Sequence, residues 1–223
     1  MYRRPGARTV KAPTPEGQHM STLDTTVMIA IHDALRRDLE QIARRAADPN
    51  GHLDAALGWE MFGRYLDIHH RAEDDLLWPM LQQVLEDRPD DLALVAALED
   101  EHAQIDPLIA EINAVLHGRS DERLVDVVDA LHTGLNEHLR HEEQDGLPLM
   151  GAVLSEEQWA TFGMNSGARV ADDAARFVPW MVTAATDADE LVDRLPPPFQ
   201  QGYRSGWADE YTALNVWPQL LNP

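Results

Sequence analysis

The chain has 223 residues, 39 acidic and 18 basic, for a formal charge of −21, and it contains no cysteine. This length suits one domain with an extension or two small ones, and the missing thiol excludes disulfides, thiolate zinc sites, thiol catalysis and cysteine-held iron–sulfur clusters. Any metal must therefore sit on His, Asp or Glu, and so negative a body repels phosphate backbones, which argues against a nucleic-acid partner.

Residues 1–20 carry Arg3, Arg4, Arg8 and Lys11 against Glu16, a local balance of +3 that leaves −24 on the remaining 203 residues. They lack the apolar run of a signal peptide, and no stretch of about 18 uncharged apolar residues follows. The expectation is a disordered start on a soluble, cytoplasmic protein with no membrane partner.

From about Leu23 to Leu154 apolar residues recur at spacings of three and four, with no alternation of period two, so residues 21–154 are expected to be all helix. Breaks at Asp48-Pro49-Asn50-Gly51, around Pro89, and at Gly118-Arg119-Ser120 divide this part into four segments. Ser120 is read as a helix start and Gly118 as a helix stop. Short connections favour antiparallel neighbours, hence an up-down four-helix bundle.

Each segment has an inward seam, and each seam carries polar residues. The first reads Met28, His32, Leu35, Leu39, Ile42; the second Phe62, Leu66, His69, Glu73, Leu76, Met80. The third reads Val95, Leu98, His102, Ile105, Ile109, Ile112, Leu116; the fourth Leu124, Val128, Leu131, Leu135, His138, Glu142, Asp145, Leu149. His69 to Pro79 and His138 to Pro148 both read H-x3-E-x5-P, and His32 and His102 precede them by 37 and 36 residues. Two similar hairpins predict a site with approximate two-fold symmetry.

Residues 155–223 hold nine of the fourteen aromatics. Asp187 to Leu195 before three prolines reads as a short helix and a stop. This extension is expected to be helical and packed on the bundle or on a second subunit, leaving room for a homodimer.

A His and a Glu four apart lie on one face of a helix, where one metal can take both. Four imidazoles and two carboxylates buried without a cation would be costly. Supplied twice over, they fit two adjacent metals bridged by carboxylates better than one metal. Imidazole with carboxylate suits iron, manganese, zinc or cobalt, of which iron is favoured and manganese is second.

The motif resembles the hemerythrin-like family, also called HHE cation-binding domains, over about residues 22–154. The stretch His69-His70-Arg71-Ala72-Glu73-Asp74-Asp75-Leu76-Leu77-Trp78-Pro79 carries the closest likeness. The resemblance implies that His32, His69, Glu73, His102, His138 and Glu142 ligate a non-haem di-iron centre that binds or reacts with O2, hydrogen peroxide or nitric oxide. Sensing or buffering of O2 or iron, or an oxidase acting on a small organic substrate, are the alternatives. Family members that carry oxygen have a further histidine where this chain has Asp106. A fifth ligand could then come from Asp106, His70, His141 or Tyr65, and the shortfall argues against a dedicated reversible carrier. His70 and His141 are expected outside the ligand set, His19, His52, His117 and His132 in loops or off the seams. Asp145 is read as a polar residue at the bundle end, and the acidic residues after Glu73 and Glu142 as solvated.

Overall fold

The computed structural model describes residues 23–48 and 50–219, and the regular structure among them is all helical, with no strand. The segment expected to be a disordered start lies outside them. Four long helical stretches come first: α1 (Thr26–Ala47), α2 (Leu57–Ala72) running on into α3 (Trp78–Val84), α4 (Pro89–Leu116), and α5 (Leu124–His141) running on into α6 (Leu147–Val153). α1 packs on α2 and α5, α4 packs on α5 and on the α2–α3 stretch, and α3 meets α6.

The breaks fall where turn chemistry puts them. Gly118 takes φ +64° after α4, a conformation that Cβ disfavours, and Pro89 opens α4, where a missing N–H costs nothing. Ser120 does not start α5. Its hydroxyl accepts from the Glu122 amide and donates to Glu111, and the helix begins four residues later at Leu124.

Both H-x3-E-x5-P copies contain the same irregularity, which the periodicity did not reveal. Glu73–Leu77 and Glu142–Gly146 each form a π-helical turn, closed by the Trp78 amide on the Glu73 carbonyl and the Leu147 amide on that of Glu142. Pro79 and Pro148 follow directly. Each lacks an amide hydrogen and crowds the carbonyl four residues back, and a wider turn relieves that clash. The extra residue rotates the inward face, so Leu77, Trp78 and Leu81 are buried instead of Leu76 and Met80. Likewise Gly146, Leu147 and Met150 replace Asp145 and Leu149.

Apolar side chains gather in two clusters, and each stretch passes from one to the other across its polar residues. His32 lies between Met28 and Leu35, His69 between Leu66 and Leu77, His102 between Leu98 and Ile105, and His138 between Leu135 and Leu147.

Residues from Glu156 onward form α7 (Glu156–Arg169), α8 (Ala174–Val182), α9 (Ala188–Arg194), α10 (Pro197–Gly202) and α11 (Ala208–Leu214). α7 packs on α2, and α8 and α9 pack on α1. A buried acid on α1 anchors this layer. Asp38 accepts from Trp180 Nε1 at 2.7 Å and Trp217 Nε1 at 2.9 Å, while Arg37 donates to the Trp180 carbonyl and to Thr183. The Trp217 ring occupies the space that a side chain at Gly58 would need. No helix among the described residues is long and apolar enough to cross a membrane.

Candidate metal centre

Two groups of potential ligands meet in the polar layer. His32, His69, Glu73 and Glu142 form one, and His70, His102 and His138 the other; within each group one donor atom per residue lies within 4.8 Å of the rest. All seven residues are buried. Glu73 reaches both groups, with Oε1 3.5 Å from His69 Nδ1 and Oε2 3.4 Å from His102 Nε2. Glu142 Oε2 lies 3.2 Å from His32 Nε2.

Outer carboxylates orient four of the five imidazoles. His32 Nδ1 donates to Glu143 at 2.8 Å, His70 Nδ1 to Asp106 at 2.6 Å, His102 Nδ1 to Asp74 at 2.8 Å and His138 Nδ1 to Glu101 at 2.9 Å. An ionised carboxylate only accepts, so Nδ1 carries the hydrogen and Nε2 turns a lone pair inward. The arrangement crosses between hairpins: the acid after Glu73 grips His102, and the acid after Glu142 grips His32. Trp78 Nε1 steadies Asp74 at 3.1 Å, and Arg36 steadies Glu143 at 2.7 Å.

The inward atoms have no adequate protein partners. Both oxygens of Glu73 and of Glu142, and Nε2 of His32, His69 and His70, are buried without a hydrogen bond. His102 Nε2 and His138 Nε2 face each other at 3.1 Å. With both Nδ1 atoms donating outward, that contact opposes two lone pairs. Unpaired buried groups of this kind are expensive, and a cation between them removes the cost.

Electrostatics agree. Burial pushes the Glu73 carboxyl well above its usual range, and neighbouring Glu142 pushes it further. Burial also opposes charge on Glu142 and His32, yet their attraction prevails, holding Glu142 down to about 2 and raising His32 to about 9. Burial and neighbouring imidazoles depress His69 and His70 well below the ordinary histidine value. Left without a metal, the centre disfavours a charge on Glu73 and favours one on His32. The residues therefore fit a cationic group.

The model of the hemerythrin HHE cation-binding domain matches residues 23–150. The chain belongs to that family. Comparison with curated proteins finds no match, and neither does comparison with solved structures.

Within this hemerythrin-like chain, the six residues named from the two hairpins come together, and His70 joins them. His70 was read as an outer or surface group, with completion of the ligand shell left open. It is instead fully buried and stacked on His102, with ring centroids 3.9 Å apart. His70, His102 and His138 thus each bring one donor atom into the second group. Asp106 is half-exposed and stands behind His70 as its hydrogen-bond acceptor. His141 shares Glu101 with His138 and belongs to neither group. Tyr65 is turned away from the polar layer: its hydroxyl donates to Asp173 at 2.9 Å and its ring packs on Phe177 and Trp180. A helical side chain leans toward the helix N-terminus, which carries the phenol away from His69.

Asp74, Glu101 and Glu143 were missed. Asp74 and Glu143 are not simply solvated, and an acid immediately after the motif glutamate in both copies was the available signal. Glu101 had none, because its counterpart in the first hairpin is Ile31. Among the remaining histidines, His117 bonds the Asn113 carbonyl and His132 bonds Glu40, both away from the centre.

Proposed function

We propose that the chain is a dinuclear metalloprotein, with iron as the metal, that binds or reacts with a small ligand such as O2, hydrogen peroxide or nitric oxide. The observation that carries this reading is the set of five inward imidazoles divided two and three, with the orphaned carboxylates of Glu73 and Glu142 set among them. His32 and His69, with Glu73 and Glu142, would hold one metal, and His70, His102 and His138 the other, with Glu73 within reach of both groups. Imidazole with carboxylate suits iron, and manganese second. Loaded with iron, such a pair supplies one-electron redox chemistry and an open position for a diatomic ligand or peroxide. The chain's own residues bury the centre and fix the tautomer of four of the five imidazoles through outer carboxylates.

In the same reading residues 21–154 form an antiparallel up-down bundle, and residues 155–223 an extension upon it. In support, the two apolar clusters occur in alternating order along successive stretches. The protein would act in the cytoplasm without nucleic-acid or membrane partners. An oxidase acting on a small organic substrate is the second reading, favoured by an apolar cavity that reaches His69.

The test is metal analysis with optical spectra before and after exposure to air and peroxide. About two iron atoms per folded chain and a spectrum that changes with either oxidant are expected. Folded protein that never takes up more than about one equivalent of any transition metal would sink the dinuclear reading.

A further inference from the structure

A cavity of about 440 Å3 lies between the α1–α2 face and the C-terminal helices, and His69 is part of its wall. Ile31 and Ile68 flank that histidine, and Phe162, Phe177 and Met181 face them from the added helices. This volume lies within the range of pockets that hold drug-sized organic molecules. It is about three times that of an apolar cavity of ~150 Å3, which already takes up benzene.

The polar groups along the wall are nearly all engaged elsewhere. Tyr65 donates to Asp173, Ser166 to the Phe162 carbonyl, and Trp159 Nε1 to the Asp24 carbonyl. Arg194 is paired with both Asp24 and Glu190, so the exposed edge offers neither a free cation nor a free anion. His69 adds no polar surface to the wall: 6% of the residue is exposed, and its Nε2 is itself buried.

The duplication explains why the cavity opens where it does. In the second hairpin Glu101 accepts from both His138 and His141, which closes off the outer side of His138. The positions corresponding to Glu101 and His141 in the first hairpin are Ile31 and Ala72. Both line the cavity beside His69. Where one half of the centre has a carboxylate and an imidazole, the other has an apolar opening. His69 is accordingly the one imidazole of the five without an outer carboxylate.

We propose that this cavity binds an uncharged, predominantly hydrocarbon organic molecule, seated against His69 so that the His32–His69 half of the centre faces it. The inference rests on the dinuclear reading for what lies behind His69, but not for the cavity itself. A wall that offers a ligand no hydrogen bond and no charge selects against carboxylates, phosphates and sugars, because each would lose its hydration without compensation.

The probe is naphthalene, with 2-naphthoate as its charged counterpart, titrated calorimetrically into the full chain both metal-free and cobalt-loaded. Gly163 and Gly167 line the cavity, and a Cβ built on either meets nothing within 4 Å, so Gly163→Leu and Gly167→Leu fill it without a clash at the backbone. Naphthalene is expected to bind at least about tenfold more tightly than naphthoate and to lose at least about tenfold in the leucine variants, with cobalt content unchanged. It should also shift the visible bands of the cobalt-loaded protein. Normal metal uptake without naphthalene binding, or equal binding of naphthoate, overturns the ligand class while leaving the metal reading intact. Binding that leaves the cobalt bands unmoved overturns the seat at His69. Naphthalene binding to a protein that takes up no metal supports the cavity and overturns the metal reading.

Discussion

Replacing His70 by Ala separates a ligand from a supporting residue. Its ring is fully buried against His102, its Nδ1 is held by Asp106 at 2.6 Å, and its Nε2 has no protein partner. Losing an outer partner of a metal ligand reduces affinity by about 10–100-fold, or ~1.4–2.7 kcal/mol. Asp106→Asn keeps an acceptor beside Nδ1 but removes its charge, and should fall in that range. His70→Ala takes one of three imidazoles from the second group and should cost more, on the order of 10³-fold, or ~4 kcal/mol. His141→Ala removes a group outside both sets and should change affinity by no more than about threefold. Anaerobic competition against a chelating indicator, counting tight sites per chain, measures all three, with circular dichroism to verify folding. A His70→Ala protein that retains two tight sites within about threefold of the parent affinity would refute the assignment.

The metal-free and metal-loaded forms should respond oppositely to pH. Burial opposes charge on both His32 and Glu142, but their attraction raises His32 from 6.5 to about 9 and lowers Glu142 from 4.5 to about 2. The His32 contribution to stability is full below about 6.5 and lost as pH rises through about 9; that of Glu142 is full above about 4.5 and lost as pH falls through about 2. This pair therefore supports the metal-free protein best between about pH 4.5 and 6.5, whereas the loaded protein gains stability toward neutrality because protons compete with metal. Thermal melts of both forms from about pH 4.5 to 9 should diverge, the metal-free form losing stability above about 6.5, and parallel curves would contradict the account. Asp38→Ala should destabilise the chain by about 3 kcal/mol, since it strands the buried indole N–H of Trp180 along with that of Trp217. Urea unfolding followed by tryptophan fluorescence checks this, and an unchanged midpoint would show that the acid does not anchor the added helices.

The helical character and the identity of six residues that meet in the polar layer were legible because both are local. Spacings of three and four describe one helix, and H-x3-E places two donors on one face whatever surrounds them. Three features were not local. His70 follows His69 by about 100° around the helix, so it is inward only because α2 is covered by α1, α4 and α7 and buries a wide arc. The seams slip by one residue beyond Glu73 and Glu142 because each proline imposes a π turn, and a period of 3.6 extrapolated across that turn points at Leu76 and Asp145 instead of Leu77 and Gly146. The cavity belongs to neither hairpin alone. Ile31 and Ala72 read as ordinary apolar positions until α7 and α8 are laid over them, and only the packing of elements far apart in the chain turns the absence of a carboxylate beside His69 into an opening.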